Sequence, residues 1–215
     1  MDDYIRICNV QKRFKQETVI DNVSLEIEKG AICGFVGPNG SGKTMLFKMV
    51  AGIIRPDAGQ IFVDHKEIGK EIDFPAKMGL MIETPGFLKQ YNGFQNLKYL
   101  ARIRNQISDQ EIREAMEEFG LKPDDRKRVG KYSLGMKQRL GIVQAIMEKP
   151  ELLILDEPMN SLDEANVEIL RRKLKELSSG GVTVLLSSHH KEDIELLCEK
   201  VYEMKEGKIK NVAVL

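Results

Sequence analysis

Tryptophan is absent from this sequence of 215 residues, and long apolar stretches are missing as well. A transmembrane helix needs about 20 consecutive apolar residues, whereas apolar runs such as Leu152–Leu155 and Val182–Leu186 are far shorter. The acidic start, Met1 to Tyr4, also lacks the charged and apolar regions of a signal peptide. The sequence therefore predicts no membrane span and no secretion signal, and any role at a membrane would come through a partner.

An excess of charge of either sign is missing too. Lys and Arg number 33, Asp and Glu number 33, and no global basic field is present to attract nucleic acid. The densest basic cluster, Arg126–Arg128 with Lys131, is interpreted as a solvated loop, with a lipid or RNA contact as the alternative. Cys8, Cys33 and Cys198 are odd in number and scattered, which predicts reduced thiols in a cytosolic protein and neither a disulfide framework nor a zinc site.

The apolar pattern predicts an α/β fold, because short apolar segments alternate with helical patterns. The expected strands cover residues 5–10, 23–27, 32–36, 60–63, 152–155 and 182–187, with a closing hairpin at Glu206 and Gly207. The expected helices cover residues 43–51, 163–177 and a segment through Ile194 and Leu197. We therefore expect one domain, residues 1–215, in which an α/β core of residues 1–84 and 150–215 carries an inserted helical subdomain of residues 85–149.

Two helix starts can be predicted inside the helical segment. Ser108 followed by Glu111 forms a capping-box sequence, and Ile112, Met116 and Phe119 then fall on one helical face. A further helix is expected to follow Ser133. The apolar stripes of these helices are interpreted as core-facing.

A glycine-rich octet after the strand at 32–36 has the pattern G-x-x-x-x-G-K-[ST] of a phosphate-binding loop. Its members are Gly37, Pro38, Asn39, Gly40, Ser41, Gly42, Lys43 and Thr44. Glycines let successive backbone amides point at one phosphate, and the following helix start favours an anion. We expect Lys43 to neutralise the β- and γ-phosphate oxygens and Thr44 to offer its hydroxyl to Mg²⁺. The alternative, an ordinary glycine-rich turn, is disfavoured by the strand before the octet and the helix after it.

Two neighbouring acids, Asp156 and Glu157, end the apolar strand at 152–155. Open α/β sheets bind ligands at the carboxyl ends of their strands, so these acids can lie beside the phosphate loop. We expect Asp156 to hold Mg²⁺ through water and Glu157 to polarise the attacking water as a general base. Taken alone, the pair would also suit a solvated turn.

Three more short motifs follow the phosphate loop along the chain. Tyr132–Arg139 reads Y-S-L-G-M-K-Q-R, Asn160–Asp163 reads N-S-L-D, and Ser187–His189 reads S-S-H. Together with the phosphate loop and the acidic pair, they resemble the signature motif, D-loop and switch histidine of the nucleotide-binding domains of ABC transporters, over essentially the whole chain. Phe14 lies where that family places an aromatic ring against adenine. The resemblance implies a P-loop core with a mixed or parallel sheet, an N-terminal antiparallel β part and an inserted α-helical subdomain.

The resemblance also assigns roles to residues outside the phosphate loop. Ser133 can cap the following helix, and its hydroxyl and the Gly135 amide would face the γ-phosphate held by the P-loop of another subunit. Two head-to-tail copies would then enclose two ATP molecules. Asp163 of the D-loop would belong to the same nucleotide site, and His189 would contact the γ-phosphate and orient the water. By contrast, His65 and His190 are interpreted as ordinary histidines.

The sequence departs from the family pattern at several positions. Leu134 and Met136 replace a glycine and a small or polar residue of the signature, and Met45 stands where a second Thr is common. Glu83 stands at the position of the Q-loop glutamine, where it can still ligate Mg²⁺ but adds negative charge. The Glu83 segment and the Y-S-L-G-M-K-Q-R signature resemble the bacitracin and lantibiotic self-protection branch, which narrows the expected substrate to peptide antibiotics.

The implied function is ATP binding with Mg²⁺ and ATP hydrolysis that powers an ABC transporter. The implied partners are a second ATPase subunit, in the simplest case an identical one, and separate membrane-spanning permease subunits at the inner face of the cell membrane, with no direct nucleic acid. The alternative is a non-transport ABC ATPase acting on a ribosome or a nucleic-acid complex. A P-loop kinase would not need the signature or D-loop, and a GTPase is disfavoured because no Asn-Lys-x-Asp segment is present.

Overall fold

The strands form two sheets in the computed structural model, which describes residues 3–83 and 86–214. In chain order the strands are β1 (Asp3–Phe14), β2 (Glu17–Glu28), β3 (Ile32–Val36), β4 (Ala58–Val63), β5 (Lys66–Glu67), β6 (Met78–Met81), β7 (Leu152–Asp156), β8 (Thr183–Ser187), β9 (Lys200–Lys205) and β10 (Lys208–Val214). The helices are α1 (Lys43–Val50), α2 (Gly93–Arg104), α3 (Asp109–Glu118), α4 (Leu134–Ile146), α5 (Glu164–Ser179) and α6 (Lys191–Leu197), with a short 3₁₀ turn at Val129–Lys131.

The larger sheet has the order β10-β9-β3-β8-β7-β6. Neighbouring strands from β6 to β9 run parallel, and β10 pairs antiparallel with β9. The central strands β3, β7 and β8 are buried along almost their whole length, which agrees with their uninterrupted apolar sequences. Because β3, β7 and β8 are parallel, the segments that follow them meet at one edge of the sheet, and this edge carries the candidate site.

The smaller sheet is antiparallel and has the order β2-β1-β4-β5. It packs with α1 and one face of the larger sheet around an aromatic group. The Phe35 ring lies 5.1 Å from both the Phe47 and Tyr202 rings, edge-on to the first and stacked on the second. These rings anchor β3, α1 and β9 to one another beside the loop that connects β3 to α1.

Helices α2, α3 and α4 form the segment between β6 and β7. The predicted capping box is present, since Ser108 accepts from the backbone N–H of Glu111 and the Glu111 side chain accepts from that of Ser108. Behind it Ile112, Met116 and Phe119 are fully buried, as their spacing predicts. The division into core and inserted subdomain stays a prediction, and its boundary residues Thr84 and Pro85 lie outside the described residues.

The clearest differences between the observed elements and the sequence prediction concern the first two strands, β6 and the end of α1. The first two strands are a hairpin of 12 residues each, longer than expected, because the exposed polar positions interrupt the apolar pattern but not the pairing. Strand β6 was not predicted, since its four residues are too few to show a period. Helix α1 ends at Val50, one residue before the expected end, and Ala51 is its C-cap. Cys8, Cys33 and Cys198 are free, and burial raises the pKa of the latter two to about 12.

Candidate nucleotide site

The phosphate loop connects the end of β3 to the first turn of α1. Lys43 is only 7% exposed, and its Nζ donates to the carbonyl oxygens of Gly37 at 2.7 Å and Pro38 at 3.1 Å. Gly37 has a φ of 142°, and a Cβ there would stand 2.1 Å from the Met204 carbonyl oxygen. The Ser41 hydroxyl is buried and finds no hydrogen-bond partner within the described residues. The loop therefore encloses a cation and an unpaired hydroxyl, the groups that a bound phosphate would satisfy.

The turn between β9 and β10 contacts the phosphate loop and supports it through hydrogen bonds. The Gly207 N–H donates to the Ser41 carbonyl oxygen at 3.1 Å, and the Gly207 carbonyl oxygen accepts from the Asp21 N–H at 2.9 Å. The Lys208 ammonium also pairs with the Asp21 carboxylate at 3.0 Å. Sequence reasoning placed this hairpin but missed its contact with the loop, because nothing local in either segment indicates the other.

Asp156 lies at the end of β7, next to the loop. The Thr44 hydroxyl donates to its Oδ2 at 2.5 Å, and the Ser187 hydroxyl donates to its Oδ1. The Ser187 hydroxyl also accepts from the Glu157 N–H at 2.9 Å. Ser187 thus connects both acids to the end of β8, a role that sequence reasoning missed although the parallel strands place Ser187 opposite Asp156.

Glu157 and His189 form a pair at the same edge. Glu157 Oε2 lies 2.8 Å from His189 Nδ1, and the backbone of Glu157 is left-handed with a φ of 52°. The His190 ring lies beside the His189 ring, with 4.2 Å between centroids and the planes tilted by 38°, and the backbone N–H of His190 donates to the Ser188 hydroxyl. The structure therefore brings the predicted base and the predicted switch histidine into direct contact.

The phosphate loop, the start of α1, Glu83 and both acids line one open cleft of ≈ 290 Å³, and His189 is not among its lining residues. The lining residues are Val19, Asn39, Gly40, Ser41, Gly42, Lys43, Thr44, Met45, Lys48, Glu83, Asp156 and Glu157. Glu83 reaches the cleft from the loop after β6, where its Oε1 lies 2.6 Å from Lys48 Nζ. Glu83 carries a negative charge where the family pattern has a glutamine, and the Lys48 ammonium of α1 pairs with it. Sequence reasoning did not find this partner.

Six predicted nucleotide residues do not line this cleft: Gly37 and Pro38 at the start of the loop, Gly135, and also Phe14, Ser133 and Asp163. Phe14 ends β1 with 45% of its surface exposed, and the Lys12 ammonium lies 5.5 Å from its ring centroid. Ser133 caps α4 and is exposed, with its hydroxyl accepting from the Met136 N–H at 3.2 Å. Asp163 caps α5, and the Asn166 backbone N–H, followed by the Asn166 side chain, lowers its pKa.

The signature turn also contacts the loop after β7. Gly135 permits this contact, because a Cβ there would stand 2.7 Å from the Ser161 carbonyl oxygen. The neighbouring Leu134 is 59% exposed. The turn is therefore backed by its own chain on one side and open to solvent on the other.

Neither a metal-binding cluster of His, Cys, Asp and Glu nor a membrane-spanning helix occurs in the part of the chain that the structure describes. Within residues 3–83 and 86–214, no group of three or more His, Cys, Asp or Glu side chains is placed to hold a metal ion. In the same part of the chain, no helix has the length and apolar character needed to cross a membrane.

Comparison with known proteins decides the family. The family model described as ABC transporter matches residues 20–160. The chain belongs to the ABC transporter family. It is an ATP-binding and ATP-hydrolysing subunit of that family, so the predicted family, fold class and ATPase activity are confirmed. The comparisons give the non-transport alternative no support.

Several curated members of the ABC transporter family are similar over almost the whole chain. An ABC transporter ATP-binding protein of Bacillus subtilis, YybJ, is 44% identical over 95% of this chain and 94% of its own length. The bacitracin transport ATP-binding protein BcrA of Enterococcus faecalis is 40% identical over 96% of this chain and 68% of its own length. The lantibiotic transport ATP-binding protein SrtF of Streptococcus pyogenes is 34% identical over 95% of this chain and 88% of its own length.

Solved structures of ABC cassettes share the fold. A dimeric ATP-binding cassette in a post-hydrolysis state with ADP and Pi superposes with a TM-score of 0.89 over 98% of each chain, at 20% sequence identity. At that identity the likeness shows the fold, which agrees with the sheets and helices described above.

Proposed function

We propose that two copies of this chain close head to tail over two ATP molecules. Each nucleotide would be held by the phosphate loop of one copy and by the Ser133–Gly135 turn of the other. The observation that carries this proposal is the contrast between the two parts: Lys43 is buried in the cleft, whereas Ser133 is exposed and lies outside it. The exposed N-terminus of α4, which Ser133 caps, can bind an anion, and in this arrangement the anion is the phosphate held by the second copy. The dimeric state of a cassette with this fold supports the arrangement.

Hydrolysis would use Glu157 as the general base. An ionised carboxylate can only accept hydrogen bonds, so in the Glu157–His189 pair the proton lies on His189 Nδ1. We assign Glu157 Oε1 to the attacking water. The water oxygen forms a bond to the γ-phosphorus, the bond from that phosphorus to the β–γ bridging oxygen breaks, and Glu157 accepts the water proton. The products are ADP and phosphate, and His189 would orient the water and the γ-phosphate.

The residues around Thr44 fit Mg²⁺. The Thr44 hydroxyl and an Asp156 carboxylate oxygen already lie 2.5 Å apart in an open cleft, and Mg²⁺ is held by a few such protein oxygens, directly or through water, together with substrate phosphates. When bound, the ion would neutralise negative charge on the phosphates. Glu83 is assigned as a further ligand, for which it would leave its present partner Lys48.

The remaining nucleotide contacts follow the same division between copies. Phe14, exposed at the end of β1, would stack on the adenine, and such stacking tolerates other bases. The backbone amides of Asn39 to Thr44 would face the β- and γ-phosphates. Asp163, already the cap of α5, would lie at the boundary between the two copies.

The transporter would comprise this ATPase dimer and separate membrane-spanning permease subunits. The ATPase would sit on the cytoplasmic face of the cell membrane, with the Glu83 loop passing its motion to the permease. Relatives named for bacitracin and lantibiotic transport support a peptide antibiotic as the exported substrate. Differential affinity of ATP for the closed and open dimer would drive the cycle.

Glu157→Gln tests the proposed site. We expect this variant to bind ATP and to accumulate as a dimer on a sizing column, while turnover falls by about 10²- to 10⁴-fold because the base is lost. Glu203→Gln, an exposed change of the same kind on β9, is the control and should behave as wild type. Steady-state hydrolysis at the wild-type rate by Glu157→Gln would remove Glu157 as the base.

The partner and the substrate need a separate experiment. Affinity purification from detergent extracts should recover a membrane protein with several spans, and loss of the gene should raise sensitivity to bacitracin or a lantibiotic. Recovery of ribosomes in place of a membrane protein would favour the non-transport alternative. Unchanged sensitivity to these antibiotics would remove them as substrates.

A further inference from the structure

Gln138 occupies a position that no predicted role covers. It lies on α4, just after the Ser133–Gly135 turn, and its side-chain nitrogen donates to the Glu157 carbonyl oxygen at 3.2 Å and to the Pro158 carbonyl oxygen at 2.9 Å. The amide group of Gln has two N–H donors, and two successive carbonyl groups use them here. Gln138 therefore joins the helix of the signature turn to the backbone of the proposed base in the same chain.

The backbone of Glu157 has a strained conformation that hydrogen bonds from neighbouring elements stabilise. Its φ of 52° is unusual for a residue with a side chain. Its N–H donates to the hydroxyl of Ser187 on β8, and its carbonyl oxygen accepts from Gln138 on α4. Two different elements thus fix the peptide groups on either side of the Glu157 Cα, and with them the direction in which the carboxylate points.

A second contact joins the same two segments. Gly135 lies so close to the Ser161 carbonyl oxygen that a Cβ would stand only 2.7 Å from it, and Ser161 is itself left-handed with a φ of 65°. Gly135 and Gln138 are three residues apart and lie on the same side of α4. The first turns of α4 therefore rest directly on the loop that runs from Glu157 to Ser161.

We propose that Gln138 is a positioning residue that couples the signature turn to Glu157 of the same subunit. This inference rests on the proposed function, in which the turn meets the nucleotide of the other copy. Engagement of that nucleotide would fix α4, and the two Gln138 hydrogen bonds would then hold Glu157 in its working direction toward the ATP on its own phosphate loop. Each site would therefore hydrolyse efficiently only when the other is occupied.

The test replaces Gln138 while keeping its size. Gln138→Met removes both donors, and Gln138→Glu replaces them with oxygens that face the two carbonyl groups. We expect kcat to fall by about 10- to 100-fold with KM for ATP within about twofold of wild type, because a small misplacement of the base affects only the chemical step. The Hill coefficient for ATP should fall toward 1. Gln144→Met, the same change further along α4, is the matched control and should leave all three quantities unchanged.

A combined variant separates positioning of the base from assembly. Gln138→Met in the Glu157→Gln background should still accumulate the ATP-bound dimer, since the turn itself is intact. Loss of that dimer would overturn the proposal, because Gln138 would then act on assembly. Wild-type kcat and Hill coefficient in both Gln138 variants, with Glu157→Gln inactive, would overturn this inference alone. Normal turnover by Glu157→Gln would instead overturn the proposed function.

Discussion

The phosphate loop and the signature turn are built in opposite ways. Ser41 and Lys43 are 3% and 7% exposed, and the loop is supported by the β9–β10 turn. Leu134 of the signature turn is 59% exposed and has its own chain on one side only. The first part is therefore completed by the folding of one chain, whereas the second is left open on the side where the proposed second copy would bind. Mutations in the two parts should consequently fail at different steps.

Lys43→Met should have the largest effect and should act on the single chain. The ammonium is the buried cation of the loop, and charged hydrogen bonds contribute about 1.5–3 kcal/mol each. We expect ATP affinity to fall by about 10- to 100-fold or more and hydrolysis to be lost with it. Calorimetric titration with ATP and Mg²⁺ measures the affinity, and Lys66→Met on β5 serves as an exposed control. Wild-type affinity in Lys43→Met would mean that the buried cation does not face the phosphates.

Leu134→Glu should spare the single chain and block assembly. A negative charge in the first turn of α4 interacts favourably with the helix dipole and stabilises the helix by up to about 1 kcal/mol. The melting temperature should therefore stay the same or rise. Across the interface the same charge would repel the γ-phosphate, and we expect turnover and the ATP-dependent dimer to fall at least about tenfold.

The control for this change is Leu196→Glu, which places the same substitution at another exposed leucine, on α6. It should leave the dimer and turnover unchanged. If Leu134→Glu still forms the dimer with ATP, the turn does not face the nucleotide, and the contrast between the two parts would have another cause.

Glu111→Gln should have the smallest effect, because it changes a helix cap in α3, outside both the phosphate loop and the signature turn. It tests local stability alone. The Lys149 side chain, followed by the Ser108 backbone and side chain, lowers the pKa of Glu111 from 4.5 to about 2. Because the folded pKa is the lower one, this stabilisation is fully present above about pH 4.5 and is lost as pH falls toward 2. We expect α3 amides to lose exchange protection over that range in wild type, and less so in Glu111→Gln. Equal pH profiles would show that the capping carboxylate does not contribute.

Local patterns were enough to predict the family, the order of the main core strands and helices, and the segments that meet at the cleft. The octet ending at Thr44 and the acids at Asp156 and Glu157 follow strands whose apolar runs are visible in the sequence, and parallel strands bring their ends together. Their chemical roles stay predictions. The exposed signature turn also follows from sequence, since Ser133 is a strong cap before a helical pattern.

The contacts that were missed all depend on tertiary register. In the sequence, Gln138 looks like any other polar residue of a helix. Only the packing of α4 on the loop after β7 shows that it donates to the carbonyl oxygens of Glu157 and Pro158. Lys48 and Glu83 lie 35 residues apart, and nothing local pairs them. In the sequence Ser187 stands out only as part of the switch segment, because its contact with both acids depends on the pairing of β7 with β8.

The hydrogen bond from Gly207 to Ser41 joins positions 166 residues apart (207 − 41). During synthesis at about 5–20 residues per second, the phosphate loop leaves the ribosome roughly 8 to 33 s before the turn that supports it. The nascent chain therefore carries an unsupported loop for most of its production. The β9–β10 turn therefore reaches the phosphate loop only after strands β1 to β8 have already emerged.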